Sequence, residues 1–190
     1  LKFDNSANMG LDSGGGSNSY ATSGTVLQYK DTPSNNMPQL NVNDKYAAAI
    51  TNSGRTVTNE NNNQTGVMST LAVDTGKWYW EAKVKDTASD TFNVGMRKTG
   101  LDNYGVTGWS YSTGAFVYAV NGYIYKDGSQ STNTGTTAAV GDIIGFIVDL
   151  DAGTVKLQKN GADMYSGNAV VTGLNTGDFW HVVQGAAQAS

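Results

Sequence analysis

The stretch that most limits what this chain can become is Gly141 to Gly161, GDIIGFIVDLDAGTVKLQKNG. Ile143 to Leu150 is a short apolar run without helical periodicity, and it reads as a strand covered on both faces. Asp151-Ala152-Gly153 then supplies turn chemistry. Thr154 to Gln158 alternates Thr154, Lys156 and Gln158 outward with Val155 and Leu157 inward, the period of a half-buried strand. Asn160-Gly161 tolerates positive φ at both central positions of a hairpin, which predicts a further short strand at Ala162 to Tyr165. Strand, turn, strand, turn in succession puts the centre of a sheet here.

The rest of the chain is punctuated in the same way. It holds 24 Gly and 2 Pro in 190 residues, and charged residues make up 15%, against about 25% in typical domains. Many tight turns joining short strands account for both. A hydrophobic content of 38% over this length supports one well-buried domain rather than two. A formal charge of −4 argues against a phosphate-binding partner, since nucleic-acid binders carry a basic stripe. No run approaches the roughly 18 apolar residues of a membrane span, and no Cys is present for disulfides or thiolate metal sites. The start at Leu1 rather than Met reads as a position inside a longer polypeptide.

Taken in order, Leu1 to Ser23 is polar with a Gly14-Gly15-Gly16 tract, an extended or looping entry. Thr25 to Tyr29 reads as a short strand, Asp31-Thr32-Pro33-Ser34 as a turn, and Leu40 and Val42 as contacts that tuck this arm onto the body. Residues 1–45 are therefore expected as an N-terminal arm and 46–190 as the main domain. Tyr46 to Ile50, Arg55 to Thr58 and Gly66 to Val73 are predicted strands, with Thr58 to Thr65 a solvated loop. The glycosylation sequon in that loop, Asn63-Gln64-Thr65, follows from an abundance of Asn and Thr. Lys77 to Lys85 alternates Trp78, Trp80, Ala82 and Val84 toward a core with Tyr79, Glu81 and lysines outward. Phe92 to Arg97 follows, with Phe92, Val94 and Met96 as its inner face. Phe116 to Val120 and Tyr123 to Lys126 form a hairpin through Asn121-Gly122, Ser129 to Thr137 is a polar loop, and Phe179 to Val183 is the last strand. Ala186 to Ser190 reads as a loose terminus. About ten to thirteen short strands and no amphipathic helix make an all-β, antiparallel β-sandwich.

Five short stretches, in order, carry a family resemblance: Gly76-Lys77-Trp78-Tyr79-Trp80-Glu81, Asn93-Val94-Gly95, Gly141-Asp142-Ile143-Ile144-Gly145, Asp149-Leu150-Asp151-Ala152-Gly153-Thr154 and Lys159-Asn160-Gly161. Together they resemble the SPRY domain over roughly Gly76 to Val183. The resemblance implies a two-sheet antiparallel sandwich that binds through loops gathered at one end, with no cofactor. Upstream, Asp12-Ser13-Gly14-Gly15-Gly16-Ser17-Asn18 and Asp31-Thr32-Pro33-Ser34-Asn35-Asn36 resemble the lead-in of SPRY modules in bacteriophage structural proteins.

Catalytic chemistry finds little support in the residues. Gly108-Trp109-Ser110-Tyr111 approaches a nucleophile elbow, but Ser112 occupies the last glycine position. Neither Gly14-Gly15-Gly16 nor Gly76-Lys77-Trp78 ends in the Lys-Ser/Thr pair that binds phosphate and magnesium. The single histidine, His181, lies between Trp180 and Val182 and reads as a packed or hydrogen-bonded strand residue. Asp149 and Asp151 have the spacing to share a strand face as a glycosidase pair, but they read better as turn-shaping side chains that accept from local backbone amides. As calcium ligands they lack the rest of a loop.

Aromatic side chains in and beside loops are the stronger signal. Tyr104, Trp109, Tyr111, Tyr118, Tyr123 and Tyr125 crowd one third of the chain, and rings with polar tips offer an apolar face and a hydrogen bond together. The candidate binding residues are Asp102, Asn103, Tyr104, Trp109, Tyr111 and Asn121, centred on Leu101 to Thr113, with no catalytic residue, metal or cofactor. Together with the SPRY and phage lead-in resemblances, the Asn-, Thr- and Gly-rich composition and the missing catalytic set, the expected function is a non-enzymatic module on a virion surface, a fibre or appendage, recognising a host cell-surface glycan or protein. Its partners would be that receptor and other virion subunits, in a homo-oligomer with a trimer favoured, without nucleic acid or membrane insertion. A structural decoration or cementing role without host contact, and an intracellular SPRY module gripping a peptide, are the alternatives.

Overall fold

The computed structural model describes residues 19, 21, 23, 38–46, 48–52, 54–59, 65–87, 93–100, 114–174 and 177–186. Two compact units divide the chain, Leu1–Met37 and Pro38–Ser190, and every described strand belongs to the second. The strand expected at Thr25 to Tyr29, the terminus beyond Ala186 and the sequon all lie outside the described residues, apart from the backbone of Thr65.

Thirteen strands are present among the described residues: β1 (Leu40–Tyr46), β2 (Ala48–Thr51), β3 (Thr56–Asn59), β4 (Thr65–Val73), β5 (Lys77–Lys83), β6 (Asn93–Lys98), β7 (Ala115–Ala119), β8 (Tyr123–Lys126), β9 (Ser129–Asn133), β10 (Ile143–Asp149), β11 (Thr154–Lys159), β12 (Ala162–Asp163) and β13 (Trp180–Ala186). They form a seven-stranded sheet in the order β1-β4-β13-β6-β7-β8-β9 and a four-stranded sheet in the order β12-β11-β10-β5, with β2-β3 a separate hairpin. All pairings are antiparallel. The chain is an antiparallel β-sandwich, as its turn-rich sequence implies. The large sheet takes in Leu40–Tyr46, so residues 40–45, expected in the arm, belong to an outer strand of that sheet, and Val42 is exposed.

The core lies between the two sheets. Val94, Met96, Phe116, Tyr118, Ile124 and Trp180 come from the large sheet and meet Ile144, Phe146, Val148, Val155 and Leu157 from the small one. Trp80 stacks flat on Phe146, with ring centroids 4.0 Å apart and planes within 4°. Phe116 and Trp180 make a tilted pair at 6.0 Å. Tyr118 is wholly buried, its hydroxyl donates to the Thr136 carbonyl at 2.8 Å, and burial raises its pKa.

The strands covered on both faces are β7, all five of whose residues are buried, and its neighbour β6, buried from Asn93 to Arg97, rather than β10. Val117 faces away from the main core into a second cluster with Met68 and Val183. On β10, Ile144, Phe146 and Val148 face inward, while Ile143 and Ile147 remain 37% and 36% exposed on the outer face of the small sheet. An apolar run therefore marks β10 although only one of its faces is covered. The alternation expected for β5 holds, but burial does not follow it to the start of the strand: Trp80 and Ala82 pack against the core and Val84 is buried, whereas Trp78, on the same face, is 44% exposed. Trp78 sits where the sandwich ends, and its ring nitrogen donates to the Thr75 carbonyl at 2.7 Å instead of entering the core.

The turns explain two further differences. Asn160-Gly161 has both residues at positive φ, the two-residue hairpin expected, and it leads into β12. At Asn121-Gly122 only Gly122 has positive φ, and Gly122 N bonds to Ala119 O, a type I turn closed by a left-handed glycine. Asp127-Gly128 has positive φ at both positions and turns the chain straight back, so Ser129–Asn133 is an edge strand and not a loop. Phe92 lies outside the described residues, and the inner face of β6 is Val94 and Met96.

Four substitutions test this packing by urea denaturation. Trp80→Ala is expected to cost about 3 kcal/mol or more, since it removes the stack on Phe146, and Trp78→Ala about 1 kcal/mol or less. On Gly95 a Cβ would fall on the Phe116 carbonyl, fixed backbone of the neighbouring strand, so Gly95→Ala is expected to leave no folded protein at 37 °C. On Gly145 a Cβ meets the outer edge of the Tyr79 ring, its hydroxyl at 2.7 Å and two ring carbons at 3.1 and 3.2 Å, an exposed side chain that can swing aside, so Gly145→Ala is expected to lose about 1 kcal/mol.

Candidate functional site

One end of the sandwich collects the chain crossings that a binding surface needs. β6 ends there at Lys98, β7 begins there at Ala115, and Gly100 and Gly114 flank the segment 101–113. Asp102, Asn103, Tyr104, Trp109 and Tyr111 belong to that segment and lie outside the described residues. The same end carries the β4–β5 crossing at Asp74–Gly76, the β10–β11 turn at Leu150–Gly153, the β8–β9 turn and the approach to β13 through Asp178 and Phe179.

Side chains tie these crossings together. Asp149 Oδ1 accepts from Ala152 N at 2.9 Å and Oδ2 pairs with Lys77 at 3.3 Å. Asp151 Oδ1 accepts from Gly76 N at 2.8 Å, linking the β10–β11 turn to the β4–β5 crossing 75 residues away in sequence. Asp127 Oδ1 accepts from Gly114 N at 2.7 Å, and Lys126 donates to Thr172 O at 2.8 Å. The backbone bond from Ala152, together with Lys77, holds the Asp149 carboxyl below its ordinary pKa. Such a carboxyl is a poor general acid, which must keep its proton near neutral pH. Both aspartates shape turns here, as the sequence implies, but Asp151 does so across the fold and not locally. Among the described residues no three His, Cys, Asp or Glu side chains form a group that could hold a metal ion.

His181 is likewise fully engaged. Its Nδ1 lies 2.8 Å from the Ser69 carbonyl and its Nε2 3.0 Å from the Thr99 hydroxyl. A carbonyl can only accept, so Nδ1 carries the proton and, in the neutral ring, Nε2 accepts from Thr99. The ring pins β13 to β4 and to the end of β6. Ser69 completes the junction: its hydroxyl accepts from Val182 N at 3.1 Å and donates to Leu71 O at 2.6 Å, where the β4–β13 register shifts.

On this rigid frame the rim exposes apolar rings. Phe179 is 54% exposed, although its backbone is held by the bond from Thr99 N to Phe179 O at 2.9 Å. Beside it Lys98 pairs with Asp178 at 2.6 Å and lies 5.5 Å from the centre of the Trp180 ring. Trp78, fixed through Thr75, is the second exposed ring of this end. Neither ring is a sequence candidate: alternation turns Trp78 toward the core, and Phe179 reads only as the first residue of the last strand. Their signal is positional: Phe179 follows Gly177-Asp178 and precedes the first paired residue of β13, and Trp78 is the second residue of an edge strand.

Asn121 sits at the other end of β7 from Gly114. Its side chain accepts from Tyr123 N at 3.2 Å and shapes the β7–β8 turn. That end is closed by Asp142, whose carboxylate accepts from Ala139 N at 2.8 Å and from the Asn160 amide at 2.8 Å, and pairs with Lys159 at 2.9 Å. These three contacts, the Ala139 bond foremost, lower its pKa from 3.8 to about 2. A group depressed in the folded state stabilises fully above its unfolded pKa and loses that contribution as pH falls through the folded one. The stability difference between the native chain and Asp142→Asn is therefore expected to be complete above pH 4 and to vanish as the pH falls through about 2, read from urea midpoints across pH at fixed ionic strength.

The family model of the SPRY domain matches residues 77–180. Among solved structures, the SPRY domain of human HERC1 superposes with a TM-score of 0.66 at 16% identity, covering 80% of this chain and 91% of that one. A second human SPRY domain gives 0.59 at 13% identity, covering 75% and 91%, and the TRIM65 PSpry domain 0.55 at 10%, covering 80% and 92%. No curated protein matches the sequence.

Proposed function

The chain belongs to the SPRY domain family, and on that premise we propose that it is a non-catalytic recognition module that engages its partner at the β6–β7 end of the sandwich. SPRY domains are protein-interaction modules. The observation that carries the choice of surface is the exposed Phe179, held by its backbone at the rim between the Lys98–Asp178 pair and the crossings around it. A ring fixed in place loses little entropy when a partner covers it, and aromatic anchors dominate binding energy in most interfaces. The segment 101–113, with Tyr104, Trp109 and Tyr111, starts and finishes at the same end, since β6 ends and β7 begins there.

The setting we propose is a virion surface, with a host-surface protein or glycan as the partner. Support for the setting comes from the upstream stretches at 12–18 and 31–36, which resemble phage lead-ins, and from the Asn-, Thr- and Gly-rich composition. Aromatic side chains serve either class of ligand, since a ring face stacks on a sugar as readily as it fills a protein pocket.

Single changes Phe179→Ala, Trp109→Ala and Tyr111→Ala, each introduced into the assembled particle, are expected to reduce host adsorption by about tenfold or more while circular dichroism stays native. Protease or periodate treatment of the host surface then separates a protein from a glycan receptor. Native adsorption by all three folded variants would sink this reading.

A further inference from the structure

Among the described residues β5 is the terminal strand of the small sheet, paired with β10 alone. Its register shows which backbone groups that pairing leaves over. Leu150 N donates to Gly76 O and Val84 N donates to Asp142 O, so the even-numbered residues between them, Trp78, Trp80 and Ala82, are those that exchange ladder bonds with β10. Lys77, Tyr79, Glu81 and Lys83 therefore turn their N–H and C=O groups to the side on which no described strand pairs. An open edge of this length is a template for another strand.

The side chains say which strand fits. Tyr79 is 54% exposed on the outer face, beside Ile143 and Ile147, and Trp78 is 44% exposed on the opposite face. Lys77 has 77% of its side chain exposed despite its pairing with Asp149. Glu81 accepts the Tyr79 hydroxyl through Oε1 at 2.7 Å, leaving its other oxygen for a second partner. An antiparallel copy of β5 centred on Tyr79 sets Lys77 opposite Glu81 at two symmetric positions. It also sets Tyr79 against Tyr79, and Trp78 against Trp80 twice on the other face. Opposite charges and aromatic pairs directly across a ladder are the favourable cross-strand combinations. A shift of one residue, centred on Trp80, would instead set Lys77 opposite Lys83 twice. The charge pattern thus selects one register, and the strand is complementary to itself.

We propose that β5 pairs with β5 of a second copy of this chain, antiparallel and centred on Tyr79, joining the two four-stranded sheets into one continuous sheet. The interface is isologous, as a two-fold dimer requires. Because the two strands run in opposite directions, the β6–β7 rims point away from each other and the dimer can hold two partners apart. This contact is separate from the rim and does not depend on the function proposed for it.

Sedimentation velocity of the full 190-residue chain, from low micromolar to near-millimolar concentration, is expected to show a reversible monomer–dimer equilibrium that weakens with added salt. Lys77→Glu and Glu81→Lys each place like charges across the axis twice and are expected to raise the dimer Kd about tenfold or more. The double variant Lys77→Glu/Glu81→Lys restores the opposition and is expected to return within about threefold of the native value. Glu81→Gln, which removes attraction without adding repulsion, covers the case in which Glu81→Lys does not fold. Phe179→Ala at the rim is expected to leave the equilibrium unchanged. A chain that stays monomeric throughout, a dimer indifferent to the single changes, or a double variant as weak as the singles overturns the proposal.

Discussion

The register of β10 is the constraint on which the rest of the sandwich depends. It lies between β5 and β11 in the small sheet, and a slip of one residue would carry Ile144, Phe146 and Val148 out of the core and put Ile143 and Ile147 in their place. Both choices are apolar, so hydrophobicity alone separates them poorly. Carboxylates at the two ends of the strand fix the answer. Asp142 grips Ala139, Asn160 and Lys159 at one end, and Asp149 and Asp151 grip Ala152 and Gly76 at the other. Each is half-covered or exposed, so its value lies in direction more than in energy. With the strand held at both ends, Phe146 can meet Trp80 face to face.

This anchoring also prepares the surface for recognition. The aspartates that set β10 hold the turns of the rim, and His181 and Ser69 fasten β13 to β4 just beneath Phe179. Exposed rings are thereby carried on backbone that is already ordered. A partner that covers them gains apolar contact without first having to fix the chain. The opposite end, closed by Asp142 and the Asn121 turn, has its polar side chains occupied in holding loops together.

Much of this was legible because turn chemistry and strand period are local properties. The Asn160-Gly161 hairpin, the inward pair Val155 and Leu157, and the Val94–Met96 face follow from a few neighbouring residues, as does the sandwich itself. The candidate site was less legible. Trp78 obeys the alternation of β5 and yet is exposed, because alternation states which face a side chain takes and not where along the strand the opposing sheet stops. Phe179 reads as the first residue of the last strand, but pairing begins one residue later, at Trp180. Asn121 was grouped with residues near it in sequence, although β7 carries it to the far end of the fold. Ser129–Asn133 looks like a loop because an exposed edge strand needs no apolar residues, only a turn that returns it to its neighbour.

What the sequence by itself determined is the architecture: short strands, left-handed glycine turns and one apolar face per strand admit few arrangements other than two packed antiparallel sheets. Only the tertiary structure decided which ends of those strands share a surface, that Asp151 reaches Gly76, and that β5 ends the small sheet among the described strands. The reason is that period and turn type are written in adjacent residues. Strand order and the limits of each sheet arise from contacts between segments far apart in the chain, such as β4 with β13 and β5 with β10.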